Sequence, residues 1–246
     1  MKNKPMVLEC IGFSGTHTIT SILQDIEHLR VSHGSKNFEE NTPIGIRDLS
    51  SDQLTEQLIK NNNKSKNIAI HTNINPKHLY PLCLQKGIDY KLLVRDPVAQ
   101  INSCYNWAAK KLLQGDKVIL SSMSLCKQVG IEETVPNGLF LFSLFHVMDF
   151  NLTALQLDVE TAKMEDILES PKSFSDLFDL DIEEVRSTKY FSQGKYTISS
   201  HSSKISKDIL PDIHENQIYI HILNNVSFNY KLDKISLSDY KDIIGY

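Results

Sequence analysis

The sequence lacks the features that identify a secreted, metal-binding or membrane protein. Its cysteines have neither the paired spacing of a zinc site nor that of a disulfide framework, so a reducing cytoplasm is the expected location. The N-terminal apolar run is too short for a secretory signal. No stretch reaches the roughly 18 apolar residues of a membrane span, and the apolar run 138–148 ends at Asp149 and predicts a buried helix. The four cysteines are Cys10, Cys83, Cys104 and Cys126.

Neither sign of charge dominates. The net charge is −4 over 246 residues, which provides no basic field for nucleic acid or anionic lipid, so no nucleic-acid partner is expected. Apolar residues make up 41% and charged residues 23%, as in ordinary globular proteins. No repeat, low-complexity block or convincing linker divides the chain, so residues 1–246 are predicted to form a single α/β domain.

Short apolar runs alternate with amphipathic runs along the chain. The runs 6–13, 67–72 and 90–95 predict buried strands, and 154–159 predicts a further one. Strands that alternate with helices indicate an α/β fold, with a central parallel sheet flanked by helices. The polar stretches 31–47 and 187–208 predict loops or irregular segments. Helices are predicted at 15–29, 50–60, 76–86, 97–113, 137–151 and 211–225.

The stretch GFSGTHTI, residues 12–19, joins the first predicted strand to the first predicted helix. A glycine turn at a helix start gathers backbone N–H groups and the positive end of the helix dipole, which favours an anion. Ser14, Thr16 and Thr18 add hydroxyl donors, and Gly15 lets the backbone approach a ligand closely. The Walker A pattern does not fit, because the fifth residue after Gly12 is a histidine and no lysine follows. A Ser/Thr-capped helix after a strand explains the same residues, so both interpretations stay open.

Two further polar residues end predicted strands. His71 lies near the end of the second one, where ligands bind in open α/β sheets, and a histidine there can act as a general base. Arg95 ends the third, and its forked guanidinium suits phosphate. Ser103 lies eight residues later, on the polar face of the following helix. The alternatives are a strand histidine bonded to a neighbouring loop, an Arg95 paired with a local carboxylate, and a solvated Ser103.

These motifs together resemble the P-loop sulfotransferases. The resemblance rests on three motifs, one at the end of each of the first three predicted strands: SGTHT, HTNINPKHLYPL and LLVRDPVAQINSCY. The stretches AKMEDILESPKSFSDLFDLD and PDIHENQIYIHI support it. It runs from about residue 6 to residue 230. It implies the P-loop nucleoside-triphosphate-hydrolase-like sulfotransferase fold and a sulfuryl donor, 3′-phosphoadenosine-5′-phosphosulfate.

The resemblance also implies roles for individual residues. The loop Ser14, Gly15, Thr16, His17 and Thr18 would bind the 5′-phosphosulfate. The pair Arg95 and Ser103 would bind the 3′-phosphate, and His71 would be the catalytic base, with no metal required. Lys195 in FSQGKY is a weaker match to a basic donor loop of the family.

One position departs from the family pattern. Phe13 stands where the family carries a lysine or arginine that stabilises the charge of the moving sulfuryl group. His17 is a hypothetical substitute for that cation. The departure favours a second hypothesis, a non-catalytic nucleotide-binding protein on the same scaffold.

A P-loop kinase is a third hypothesis, opposed by the missing G-K-[ST] sequence. The acceptor is expected to be a small molecule or carbohydrate, bound by the variable segments 31–47, 114–135 and 187–208. The sequence does not indicate an oligomeric state.

Overall fold

A parallel five-stranded sheet organises the computed structural model, which describes residues 4–35, 42–60, 65–117, 121–196 and 210–246. The strand order is β2-β3-β1-β4-β5, and every neighbouring pair is parallel. Helices flank this sheet, so the expected α/β class is confirmed. The strands are β1 Met6–Glu9, β2 Leu29–His33, β3 Lys66–Ile70, β4 Asp89–Val94 and β5 Glu160–Lys163.

The helices of the described residues connect and follow these strands. In chain order they are α1 Thr16–Gln24, α2 Ser51–Ile59, α3 Pro76–Lys86, α4 Pro97–Leu113, α5 Met123–Val129, α6 Val135–Leu155, α7 Met164–Glu169, α8 Pro171–Phe178, α9 Ile182–Ser187, α10 Lys189–Ser192, α11 Gln217–Asn225 and α12 Leu237–Ile244. A short antiparallel hairpin, β6 Ser227–Tyr230 with β7 Asp233–Ser236, precedes α12.

The carboxyl ends of the three central strands meet at one edge of the sheet. Leu8 of β1 pairs with Ile70 of β3, and Glu9 pairs with Leu92 of β4. The ladder continues for one residue beyond β3, since the His71 N–H donates to the Leu8 carbonyl over 3.1 Å. Side chains that follow β1, β3 and β4 are therefore gathered at this edge, where ligands bind in open parallel sheets.

The chain forms two compact units. The first comprises Met1–Arg95 and Thr153–Ser200 and contains the parallel sheet. Its main core packs one face of the sheet against α1 and α7–α10, through buried side chains such as Leu8, Ile19 and Phe174. Burial of this apolar surface is the main force that stabilises the unit.

The second unit comprises Asp96–Leu152 and His201–Tyr246. The α4 helix begins here, with the Asp96 side chain accepting from the Ala99 N–H at 2.9 Å and Pro97 in its first turn, as the sequence predicts. Most of α6 belongs to this unit, where the Phe140 ring stacks on Tyr219 with centroids 4.1 Å apart.

By length and composition alone, helix α6 is long and apolar enough to cross a membrane. Of its most apolar 18 residues, 67% are buried inside the protein. The sequence expectation that no stretch reaches such a length is therefore wrong for this helix. Asn151 on α6 is buried and donates to Gln100 Oε1 over 3.1 Å and to the Tyr240 hydroxyl over 2.9 Å. A core helix whose buried Asn151 amide group donates two hydrogen bonds accounts for it, as expected for the apolar run 138–148.

Several predicted elements differ from the structure. Residues 29–33 form the strand β2 rather than the end of a helix and the start of a loop. The fifth strand of the sheet is Glu160–Lys163, because residues 154–155 still belong to α6. The helix predicted from residue 211 begins only at Gln217, with Asn216 as its cap.

Candidate functional site

The loop after β1 turns through an unusual backbone path. Gly12, Phe13 and Gly15 all have positive φ angles, of 99°, 63° and 68°. Glycine adopts this region readily, but a bulky residue such as Phe13 does so at a cost. Strain of this kind concentrates at functional sites, where surrounding contacts hold it.

The first turn of α1 is built like an anion cradle. Its N-cap is Gly15 in the left-handed conformation, and within the described residues no side chain caps the helix. The hydroxyl of Ser14 instead donates to the Gly12 carbonyl over 3.3 Å. Ser14, Thr16 and Thr18 are buried, whereas Gly15 and His17 are half-buried. A Ser/Thr-capped helix therefore does not explain these residues, and Gly15 and His17 are more exposed than the three hydroxyl residues of the turn.

His71 follows β3 and lies against this loop. Its ring Nδ1 is 2.9 Å from the Cys10 carbonyl oxygen. Because a carbonyl can only accept a hydrogen bond, Nδ1 carries the proton and Nε2 is the basic nitrogen. A methyl group added to Gly12 would lie 3.3 Å from His71 Cε1 and 3.7 Å from Nε2, so the basic side of the ring is close to the start of the loop. Burial lowers the pKa of His71, which keeps the ring neutral at neutral pH.

A third histidine joins His71 and His17 in a cluster that sequence reasoning missed. His33, the last residue of β2, is fully buried, with its ring centroid 4.9 Å from that of His17 and 5.4 Å from that of His71. Its Nδ1 accepts from the Ser35 N–H over 3.0 Å. Burial, reinforced by the neighbouring His71 and His17, lowers the pKa of His33 to about 2. The only signal in the sequence is the position of His33 at the end of β2, and the polar stretch 31–47 does not indicate a strand there.

The cluster is not arranged as a metal centre. Within the described residues, no group of three or more His, Cys, Asp or Glu side chains could hold a metal ion. His17 occupies the first turn of α1, where the helix dipole opposes a positive charge unless an anion is bound there. The hypothesis that His17 supplies the missing cation therefore requires an anion bound at the loop.

Glu9 is the second residue that sequence reasoning missed. It ends β1, is fully buried, and accepts hydrogen bonds from the N–H groups of Cys10 and Thr72 at 3.0 and 2.9 Å. The Thr72 hydroxyl also donates to it. Burial raises the pKa of Glu9 to about 8, against the lowering effect of these hydrogen bonds. A carboxyl inside an otherwise apolar strand is a signal that the sequence offered.

Arg95 follows β4 and contacts the loop directly. Its Nη1 donates to the Phe13 carbonyl over 2.9 Å, which holds the residue with the strained φ angle. Its Nε lies 3.9 Å from the Glu165 carboxylate, so the alternative of pairing with a local carboxylate is also present. Arg95 therefore links the loop to α7 and brings a positive charge beside the loop.

The remaining sequence candidates, Lys195 and Ser103, belong to different units of the chain. Lys195 belongs to the first unit, where its ammonium donates to the Glu169 carbonyl. Ser103 is half-buried on α4 of the second unit, whereas the other seven candidate site residues belong to the first. The segments expected to bind the acceptor lie partly outside the described residues, at 36–41, 118–120 and 197–208.

Comparison with known proteins identifies a fold. No protein-family model matches the chain, and no curated protein matches it by sequence. A crystal structure of a sulfotransferase from Alicyclobacillus acidocaldarius matches with a TM-score of 0.50 at 9% identity, over 98% of this chain and 96% of that chain. Mouse sulfotransferase SULT7A1 complexed with PAP matches with a TM-score of 0.43 at 16% identity, over 86% of this chain and 74% of that one. The first match shows that this chain has a sulfotransferase-like α/β fold.

Proposed function

We propose that this protein is a sulfotransferase that uses 3′-phosphoadenosine-5′-phosphosulfate to modify a hydroxyl or amine of a small-molecule or carbohydrate acceptor. The observation that carries the proposal is the orientation of His71. Its Nδ1 is held by the Cys10 carbonyl, and its basic Nε2 lies close to Gly12 at the start of the loop. The sulfotransferase-like fold supports the same conclusion.

The residues of the loop fit an anionic donor. The α1 turn has a left-handed glycine cap and no capping side chain among the described residues, which suits a phosphate group bound by backbone N–H groups. When bound, the donor supplies the sulfuryl group, whose S–O bond to phosphate breaks as a bond to the acceptor forms. Ser14, Gly15, Thr16, His17 and Thr18 would hold its 5′ end, while Arg95 and Ser103 are proposed for its 3′-phosphate.

His71 would remove the proton of the acceptor. The neutral ring has the protonation state that a general base requires, because burial lowers its pKa. The Cys10 carbonyl bonds Nδ1–H in both protonation states, so the ring keeps its orientation as Nε2 takes up the proton. Positioning of the base against a bound acceptor is where such a site accelerates the reaction.

A binding protein without transferase activity is the second candidate. By the resemblance, Phe13 stands where the family carries its catalytic cation. Arg95, beside the loop, is bonded to the Phe13 carbonyl and lies near the Glu165 carboxylate. Such a protein would bind the nucleotide through the same loop and leave the sulfuryl group in place.

Calorimetric titration separates these candidates from a kinase. We expect 3′-phosphoadenosine-5′-phosphate to bind and to raise the melting temperature, and ATP with magnesium to do neither. Binding of ATP alone would contradict the proposal and support the kinase. Transfer of labelled sulfate from the donor to an acceptor library then divides the enzyme from the binding protein.

The variant His71→Ala tests the base. We expect unchanged affinity for 3′-phosphoadenosine-5′-phosphate and a loss of turnover of about 10²- to 10⁴-fold, the usual contribution of a general base. The matched control is His78→Ala, an exposed histidine on α3 of the same unit. Equal turnover in the two variants would remove His71 from the mechanism.

A further inference from the structure

Glu9 has a role that the proposed function leaves unexplained. A carboxyl group is rarely fully buried unless its surroundings satisfy it, and a carboxylate without a compensating partner is costly. Glu9 ends β1 beneath the loop, and both of its oxygens are engaged. Oε1 accepts from the N–H groups of Cys10 and Thr72, and Oε2 accepts from the Thr72 hydroxyl.

Both residues that Glu9 holds determine the placement of His71. Cys10 provides the carbonyl that accepts from His71 Nδ1, and Thr72 follows His71 directly in the chain. The backbone here is constrained, because His71 and Asn73 have φ angles of 54° and 63°. One carboxyl group therefore anchors the acceptor of the ring hydrogen bond and the strained segment that carries the ring.

We propose that Glu9 is a positioning residue that fixes the ring orientation and the tautomer of His71. The importance of this role for catalysis rests on the proposed function, whereas the effect on the ring does not. Without Glu9, the N–H groups of Cys10 and Thr72 would lose their acceptor, and unsatisfied buried N–H groups drive a local rearrangement. The Cys10 carbonyl and His71 would then lose their present alignment.

Burial, against the effect of its hydrogen bonds, keeps Glu9 mostly protonated at neutral pH. Glu9 affects the pKa of three titratable groups around it, namely Cys10 on its own segment, Cys83 on α3 and Tyr90 on β4. Burial and the nearby Glu9 together raise the pKa of each. Lys86, also on α3, has the opposite effect on Cys83. With a pKa of about 8, Glu9 is mostly neutral at pH 7. In this form Oε2–H donates to the Thr72 hydroxyl oxygen, and the amide nitrogen of glutamine can donate in the same way, so glutamine is a close mimic.

Nitrogen-15 NMR of the histidine rings in the full chain tests the proposal without donor or acceptor. The His71 signals are assigned by their absence from His71→Ala, among the nine histidines of the chain. We expect Nδ1 to be protonated in the wild type and in Glu9→Gln at pH 7. We expect a mixture of tautomers in Glu9→Ala. Between about pH 7 and 9 the wild-type His71 signals should shift as Glu9 ionises, and those of Glu9→Gln should not.

Turnover provides the second measurement. We expect Glu9→Ala to lower kcat by up to about 10²-fold, as misplacement of a catalytic group does, with KM for the nucleotide unchanged. Glu9→Gln should restore most of the rate. If Glu9→Ala does not fold, Thr72→Val removes the hydroxyl bond to Glu9, together with the acceptor of the Ile74 N–H, and keeps both N–H bonds to Glu9. It should produce a smaller tautomer shift of the same kind.

The outcomes separate this proposal from the proposed function. An unchanged His71 tautomer in Glu9→Ala, or in Thr72→Val where Glu9→Ala is unfolded, would overturn the positioning role. So would a Glu9→Gln variant as disturbed as Glu9→Ala. A wild-type protein that transfers no sulfate, but shows the expected tautomer pattern, would overturn the transferase and leave Glu9 as the residue that sets the His71 ring.

Discussion

At the scale of single residues, the bond that each Nδ1 makes distinguishes two neighbouring histidines, the half-buried His71 and the buried His33. His71 bonds a carbonyl through Nδ1 and is therefore protonated there. His33 accepts an N–H through Nδ1 and is therefore unprotonated at the same atom. The two rings are neighbours in opposite tautomers, and burial lowers the pKa of both. Of the two, only His71 has its Nε2 free of the proton, as the base proposed above requires.

His33 gives a prediction for acid stability. Its pKa in the folded protein, about 2, lies below the ordinary value of 6.5, so the folded state excludes a proton that the unfolded state binds. The associated stability is complete above pH 6.5 and is lost as the pH falls towards 2, by about 1.4 kcal/mol per pH unit. Urea unfolding at several pH values should show a shallower acid slope for His33→Asn, whose side-chain oxygen can accept from Ser35.

The control for this slope is His78→Asn, since His78 is exposed. Glu9 has the opposite effect on stability: because its pKa is raised, the free energy of unfolding falls as the pH rises above about 4.5. Each variant is therefore compared with the wild type at the same pH. Equal slopes for the wild type and His33→Asn would show that His33 does not take up a proton on unfolding in this range.

Whether a site residue could be predicted from the sequence depends on whether its strand is recognisable as an apolar run. His71 could be predicted because it follows an apolar run that ends at the ligand edge. His33 could not, because it belongs to a polar strand. Glu9 was visible as a charge within an apolar strand, but its bonds to Cys10 and Thr72 arise from the pairing of β1 with β3, which only the tertiary structure gives.

At the scale of elements, the loop and α7 are in close contact. A methyl group on Gly15 would lie 2.8 Å from the Met164 sulfur, and φ at Gly15 is 68°. Gly87 has nearly the same φ, 67°, with no atom within 4 Å of the corresponding position. The two glycines share this left-handed φ and differ in crowding, so Gly87 shows the cost of the backbone conformation without the contact.

We expect Gly87→Ala to lower the free energy of unfolding by about 1–2 kcal/mol, the cost of a left-handed residue with a side chain. Gly15→Ala should lower it by about 1–3 kcal/mol more, the usual cost of overpacking. Urea denaturation measures both. Met164→Ala in the Gly15→Ala background should recover part of the additional loss, and strictly additive effects would contradict a direct overlap.

The strands that were predicted poorly are the edge strands of the sheet. β1, β3 and β4 are central, and their apolar runs indicate burial on both faces. β2, with the sequence LRVSH, and β5, with ETAK, lie at the two edges and carry polar side chains. Their strand conformation is determined by hydrogen bonds to β3 and β4, which local sequence does not encode.

At the scale of the whole molecule, the parallel topology was predictable, whereas no linker or composition change in the sequence indicates the two compact units of the chain. The alternation of strands and helices indicates the α/β class whichever residues form the edges. The division into two compact units depends on contacts distant in sequence, since each unit combines two separate stretches of chain. The border between Arg95 and Asp96 falls inside the R-D-P motif, so Arg95 and Ser103 are assigned to different units.

Ser103 therefore needs a test that assumes nothing about geometry. If it binds the 3′-phosphate, Ser103→Ala should weaken binding of 3′-phosphoadenosine-5′-phosphate about 10-fold, since hydrogen bonds to charged groups contribute about 1.5–3 kcal/mol. Adenosine 5′-phosphate lacks that group and should bind the variant and the wild type equally. The control is Ser124→Ala, an exposed serine on α5 of the same unit.

The decisive quantity for Ser103 is the affinity for 3′-phosphoadenosine-5′-phosphate divided by the affinity for adenosine 5′-phosphate, both measured by calorimetry. A general disturbance of the second unit would weaken both ligands together and leave the ratio unchanged. If this ratio is smaller in Ser103→Ala than in the wild type and in Ser124→Ala, the serine is assigned to the 3′-phosphate. An unchanged ratio would leave Arg95 as the only one of the two residues still proposed for that phosphate, and Ser103 as a polar side chain of α4.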